Sequence, residues 1–188
     1  MRPFLLAAAA VLLVAGPAFA AAPPAWVVDR SASKVGFTGS MSGQAFSGRF
    51  TRFDAHIAFD PKNLPAAQVV ATIDTGSAAS CDASRDEALP TPDWFSVKAF
   101  PRAVFKSKRI AATGPGYYVA DGDLTIRNVT RPVSLPFALT ITGDTAKMTG
   151  ALQLDRSAFG VGQGQFKGGD TVALKVGVDV VITAKRGK

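Results

Sequence analysis

Asp121-Gly-Asp-Leu-Thr-Ile-Arg-Asn-Val-Thr-Arg-Pro-Val-Ser-Leu-Pro-Phe137 reads as two strands folded about a tight turn. Gly122, Leu124 and Ile126 share a face on the first arm, and Val133, Leu135 and Phe137 do so on the second. That period of two belongs to a strand with one buried side. Arg127-Asn128 falls where the chain must reverse, and Asn tolerates the positive φ of a type I′ turn. The stretch carries almost no catalytic chemistry, so it points to a container rather than a catalyst.

The same texture extends in both directions. Val35 and Phe37 begin a strand; Phe46, Gly48 and Phe50 share the face of the next. Phe53, Ala55, Ile57 and Phe59 continue on the opposite parity, which predicts a bulge or bend near Thr51-Arg52 that restores the inward face. Further strands are expected at Val69 to Ile73, at Ala103 to Ser107 and at Met148 to Leu154, the last ending at Asp155. The final one alternates from Val172 through Leu174, Val176, Val178 and Val180 to Ile182. About eight short strands, with turn residues between them and no long amphipathic helix, argue for an all-β barrel or sandwich. A closed sheet removes the edge that so apolar a last strand would otherwise expose.

Residues 82 to 95 break the pattern. Ser84-Arg-Asp-Glu87 has the spacing of a capping box, and Thr91-Pro92 repeats a helix-start signal. One or two short helices are expected, with Leu89, Trp94 and Phe95 packed across a barrel opening as a plug or a gate.

Three blocks resemble the YceI-like family of periplasmic lipid-binding proteins. They are Trp26-Val-Val-Asp29 with Ser33-Lys-Val-Gly-Phe37, the segment from Arg85-Asp86 through Asp93-Trp-Phe95 to Phe100-Pro-Arg-Ala-Val-Phe105, and Gly122-Asp-Leu-Thr-Ile126 through Thr130-Arg-Pro-Val133. Leu154-Asp-Arg-Ser-Ala-Phe-Gly160 resembles a motif of one branch of that family. The resemblance implies a lipocalin-like antiparallel β-barrel of about eight strands, with the short helices near its mouth and a polyisoprenoid chain in an apolar interior. The implied ligand-binding residues are Phe37, Phe50, Phe53, Ile57, Ile73, Phe105, Leu124, Ile126, Leu135 and Phe137 in the interior, with Trp94, Phe95 and Phe159 at the mouth. A quinone, polyprenol or polyprenyl phosphate head is expected at the mouth, near Trp94, Arg85, Asp86 or the Tyr117-Tyr118 pair. Periodicity alone does not separate a filled core from a lined tunnel, and without the resemblance a filled core is the default.

Arg2, the apolar run from Phe4 to Val14 and the small-residue site Ala18-Phe-Ala20 read as a cleavable export signal over residues 1–20, leaving one domain over 21–188. The apolar run is shorter than the roughly 20 residues that cross a bilayer, and Gly16-Pro17 interrupts it. A periplasmic location follows. Cys81 is the single cysteine, so no internal disulfide holds the fold, and it is expected to be a small buried or half-buried residue.

Twenty-one Lys and Arg stand against 14 Asp and Glu, a net charge of +7 that falls by one if Arg2 leaves with the signal. The densest basic run, Lys98, Arg102, Lys106, Lys108 and Arg109, is read as a solvated outer face, with a membrane-docking patch as the rival. Nucleic-acid binding is excluded by aromatics on the buried parity and by the export signal. His56 is the only histidine and shares with Asp54 the face opposite Ile57, so both should face solvent. No metal-ligand spacing occurs, and no metal or cofactor is expected. Gly160-Val-Gly-Gln-Gly164 lacks nucleotide-loop spacing and reads as a plain loop, and the sequon Asn128-Val-Thr130 falls in the hairpin turn.

The expected function is binding or carriage of an isoprenoid lipid, a quinone or its precursor, with a membrane surface or a membrane cytochrome as partner. The alternatives are an interaction module docking through the basic face, and an enzyme acting on a bound lipid, which needs a polar pair inside the barrel. Oligomeric state is left open.

Overall fold

The computed structural model describes residues 22–187, and the expected signal segment and the cleavage at Ala21 lie outside them. Eleven strand segments follow in order: β1 (Ala25–Val28), β2 (Lys34–Met41), β3 (Gln44–Phe50), β4 (Phe53–Ala58), β5 (Gln68–Asp74), β6 (Ala78–Ala79), β7 (Arg102–Gly114), β8 (Tyr117–Ile126), β9 (Val129–Thr142), β10 (Thr145–Asp155) and β11 (Lys175–Arg186). All pairings are antiparallel. β11 carries β10 on one edge and, end to end, β1 and β2 on the other. β1 pairs with β4 and β4 with β5, while β2 pairs with β3 and β3 with β6. The first three strands of the ring are therefore each broken in two, and with β7, β8, β9, β10 and β11 they close an eight-strand barrel.

Each break has a polar staple. Asp29 caps the turn Arg30–Ala32 between β1 and β2, its Oδ1 accepting from the backbone N–H groups of Ser31 and Ala32. At Thr51-Arg52 the Arg52 N–H donates to Ser77 Oγ at 3.0 Å, and the Ser77 hydroxyl donates to the Asp74 carbonyl at 2.7 Å. Buried Thr75 donates to the Phe100 carbonyl at 2.9 Å. These bonds hold the corner where the inward parity passes from Phe50 to Phe53, so the phase slip in the sequence is a real strand break. Such buried polar groups are tolerable because all of them are bonded.

The decisive hairpin forms as read. Arg127 and Asn128 have φ of 50° and 61°, both in the left-handed region that a type I′ turn requires, and Ile126 faces Val129 across it. The β9–β10 ladder runs only from Thr142–Thr145 to Phe137–Gly150. Pro136 and Pro132 lie beyond it, where their missing N–H groups cost no bond to β10. There the wall is completed by the turn Arg156–Phe159, onto whose Ala158 carbonyl Arg131 donates at 3.3 Å.

Four expectations are corrected. The one α-helix among the described residues, α1 (Ala83–Ala88), is capped by Asp82, whose carboxylate accepts from the Arg85 N–H at 2.9 Å, and not by Ser84, which lies inside the first turn. Cys81, at φ 59° just before that cap, turns the chain into the helix and is exposed instead of buried. Thr91-Pro92 starts a turn and no second helix, because the Thr91 hydroxyl donates back to the Ala88 carbonyl at 2.7 Å. The last strand begins at Lys175: Val172 makes only an isolated bridge to Met41, and Leu174 gives its carbonyl to the Arg156 N–H. On the outer face Asp54 and His56 are exposed as expected, with Asp54 2.9 Å from Arg30. Lys106 and Lys108 also face out, and a bulge between Ser107 and Arg109 shifts the register so that Ile110 turns inward.

Candidate functional site

The barrel interior is a cavity of about 300 Å³ with an apolar wall. A single water needs only roughly 10–15 Å³ of such volume, so this is no packing defect. The lining runs along β11 from Val176 to Ala184. Eight residue-to-residue steps at about 3.3 Å each span roughly 26 Å, or roughly 20 Å along an axis to which strands tilt by about 40°. The cavity is long and slender.

Its bore is shaped by glycines set against phenylalanines. Gly48 faces Phe37 across β3 and β2, and a Cβ there would collide with the Phe37 ring. A Cβ on Gly122 would come within 2.7 Å of the Phe105 ring. The missing side chains let the rings lie along the wall instead of filling the centre.

One end is sealed. Trp26, Phe59, Ala67, Ile110, Ala120, Ala146, Ile182 and Ala184 form a buried cluster there, and the Trp26 indole N–H donates to the Phe59 carbonyl at 2.9 Å. Tyr118 stacks on Phe137 at 5.4 Å and meets Phe59 edge-on at 5.5 Å.

The opposite end is covered by a cap made of residues 80–101 and 156–172. Leu89, Phe159, Val161 and Val172 are buried in it and line the cavity together with Trp94 and Phe95. Arg156, only 5 % exposed, holds the second segment. Its Nε donates to Ala173, its Nη1 to Val161 and Gly162, and its Nη2 to Phe166, Gly168 and Val172, all main-chain carbonyls between 2.7 and 3.4 Å. Burial pushes its pKa below the ordinary arginine value, and the nearby Asp155 carboxylate opposes that shift. Gly160, Gly162 and Gly164 all have positive φ, and a Cβ at Gly162 would strike the Arg156 guanidinium, so this loop is shaped around the arginine. The two segments interlock where the Gly162 and Gln163 N–H groups donate to the Asp93 carbonyl, and Arg127 ties the cap to the hairpin through the Trp94 carbonyl at 2.6 Å.

Of the residues singled out in the sequence, Phe37, Phe50, Ile57, Ile73, Trp94, Phe95, Phe105, Leu124, Ile126, Leu135, Phe137 and Phe159 line the cavity. Phe53 does not. As the first residue of β4 after the break, it packs against the cluster around Trp26. The four head-group candidates do not converge: Arg85, Asp86 and Trp94 are in the cap, whereas Tyr117-Tyr118 begins β8 at the sealed end. Asp86 is occupied, accepting from the Ser80 N–H at 2.7 Å and hydroxyl at 2.6 Å. Residues that were passed over include Phe46, Phe59 and Met148, all lining the cavity and all legible from parity. Arg156 had no such signal, because a charged residue just past a strand end reads as surface.

A closed, simple up-and-down antiparallel barrel around an apolar bore defines the class of lipocalin-like barrel proteins. Residues 26–184 match the model of the YceI-like domain, and the chain belongs to that family. It is 32% identical over 138 residues to a UPF0312 protein of Vibrio vulnificus, covering 72% of each chain. With a UPF0312 protein of Vibrio cholerae it shares 28% over 170 residues, 86% of this chain and 89% of that one. Among solved structures it is similar to BcnA of Burkholderia cenocepacia, at TM-score 0.81 and 32% identity over 84% of this chain and 99% of that one. A polyisoprenoid binding domain from Saccharophagus degradans shares the fold at TM-score 0.70 and 12% identity, covering 87% and 99% of the two chains.

Proposed function

We propose that this chain is a periplasmic carrier that holds an isoprenoid lipid, a quinone or a quinone precursor, along the barrel axis. The observation that carries the reading is the continuous apolar bore from the cap to Trp26. The polyisoprenoid binding named for the Saccharophagus domain of the same fold supports it. Each CH₂-sized group transferred from water contributes about 0.8 kcal/mol, so a five-carbon unit gives roughly 3 to 4 kcal/mol gross. Association and ordering of the chain cost on the order of 10 kcal/mol, so tight retention needs several units and selects by tail length and girth. Delivery to, or buffering of, a membrane quinone pool, with a membrane cytochrome as recipient, is part of the same proposal. The protein acts by binding, without a metal or cofactor: Arg156 spends its donors on carbonyls, and His56 and Asp54 lie outside the bore.

The test is gentle purification from the native periplasm, organic extraction and mass spectrometry of whatever co-purifies in stoichiometric amount. A single long-chain isoprenoid is expected, and Ala71→Phe, which fills the bore, should lower its occupancy at least tenfold. A folded protein that arrives empty and takes up neither quinones nor polyprenols would end this reading.

A further inference from the structure

The carrier reading leaves open how a lipid enters a barrel that is packed shut at one end and capped at the other. Much of the wall offers no way through, because ladders join neighbouring strands right up to the cap. β2 and β3 are paired as far as Met41–Gln44, β8 and β9 as far as Ile126–Val129, and β10 and β11 as far as Asp155–Lys175. The β9–β10 ladder stops short, at Phe137–Gly150, and leaves residues 129–136 of β9 and 151–155 of β10 as two facing, unladdered edges.

The prolines keep this slit open. Pro132 and Pro136 are four residues apart, so their nitrogens lie on the same edge of β9. The Pro136 carbonyl is 2.9 Å from where a Cβ on Gly150 would stand, and the N and C=O of one strand residue point the same way, so that edge is the one turned to β10. From 132 to 136 it can donate through Ser134 alone, which is too little for a ladder. Val133 and Leu135 on one side and Leu152 and Leu154 on the other line the cavity directly behind it. The turn Arg156–Phe159 fills the slit, and Phe159, 3 % exposed, also lines the cavity. Among the described residues one side-chain hydrogen bond ties this turn to β9, the exposed contact of Arg131 Nε with the Ala158 carbonyl at 3.3 Å. Arg156 itself is anchored on the other side, to Val172 and Ala173.

β3 also runs past its short partner β6, but there the first cap segment is held from several directions. Thr75 donates to the Phe100 carbonyl, Arg127 to the Trp94 carbonyl, and the Gly162 and Gln163 N–H groups to Asp93. We propose that the slit between β9 and β10 is the portal by which the lipid enters and leaves, with residues 157–159 as its shutter and the first cap segment staying in place. This rests on the carrier reading. Arg156 is the fixed post on which the shutter turns. A slender tail passing between Val133, Leu135, Leu152 and Leu154 exchanges one apolar contact for another, whereas passage beneath the first segment would break the bonds that hold it.

Arg131 and Ala158 are both exposed, which lets the shutter be locked on the folded protein. In a Cys81→Ser background, Arg131→Cys and Ala158→Cys are bridged with a short bis-maleimide, and the same protein capped with N-ethylmaleimide is the reference. The probes are tritiated geranylgeraniol and a geranylgeranyl benzoquinone, taken up from and released into phosphatidylcholine vesicles. Bridging should slow uptake and release together by about tenfold or more. Arg131→Ala, which loosens the shutter without blocking it, should speed both by roughly fivefold and leave Kd unchanged, as loss of one bond present only in the closed state implies. A changed Kd with unchanged rates would make the Arg131 contact part of the binding site and overturn its role in a shutter. If bridging slows exchange by less than tenfold, the route lies elsewhere in the cap and the portal is overturned, while uptake by the reference keeps the carrier reading standing. If the folded reference takes up neither probe, both fall.

Discussion

The barrel has a tryptophan at each end, each with an arginine against its ring, and the two ends behave as opposites. Arg186 lies 4.9 Å from the Trp26 ring and Arg156 lies 5.4 Å from the Trp94 ring. Trp26 is 5 % exposed and fully bonded, and its arginine is a surface residue paired with exposed Asp144 at 3.2 Å. Trp94 is half-buried with an unmatched N–H, and its arginine is the buried staple of the cap. One end is built like a protein core, closed for good, whereas the other is a layer of loops gathered on a charged hub. Sealing one end by apolar packing and the other by main-chain hydrogen bonds gives a container with a bottom and a lid.

The largest break in this comparison should come from Trp26→Ala, which opens the sealed end at a cost of about 3–5 kcal/mol in chemical denaturation. Arg156→Met leaves carbonyls from Val161 to Ala173 without a donor, and should cost about 3 kcal/mol. Hydrogen exchange will localise that loss to residues 160–172, while Arg186→Met should cost under about 1 kcal/mol because its ion pair is exposed. Conservative changes sharpen the contrast further. Trp26→Phe orphans the Phe59 carbonyl and should cost about 1–2 kcal/mol, whereas Trp94→Phe removes a donor that has no protein partner and should leave the melting temperature nearly unchanged. The smallest effect is on pH dependence. Asp74 and Asp155 sit below the usual carboxylate range, chiefly through hydrogen bonds from Arg52 and Ser157 respectively. A carboxylate lowered on folding stabilises above its unfolded pKa of about 4, and that stability is lost as pH falls through the folded value. Melting curves below about pH 4 should therefore decline, and Asp74→Asn should flatten the decline by a few tenths of a kcal/mol, since its ion pair is largely exposed.

The strand texture was legible because a one-residue slip moves every side chain to the other face, so the alternation of Leu124, Ile126, Val133 and Phe137 had one consistent reading. The break at Thr51-Arg52 showed itself for the same reason. The cap was much less legible. Asp82 outcompetes Ser84 through the local turn set by Cys81, whose positive φ is not written in its chemistry. The bond set of Arg156 is assembled from residues 5 to 17 positions away, in a loop with no periodicity. Nor could alternation reveal that the bore is open, since that depends on rings such as Phe37 and Phe105 lying over glycines of the neighbouring strand. Phe53 is the counterpart, a residue of the inward parity that packs against the cluster around Trp26.

The order of the strands has a consequence for how the protein comes into being. β8, β9 and β10 each pair with the strand before them across a two-residue turn, so this part of the wall can zip together locally. The last seam is different. β11 must find β1 and β2, joining Arg186 to Trp26 and Val180 to Val35, the two ends of the described chain. Until that contact forms the sheet is an open curl, and there is no inside. The cavity exists only once that seam has closed, so a lipid of the proposed kind present at that moment would be wrapped, and one arriving later would have to pass the cap.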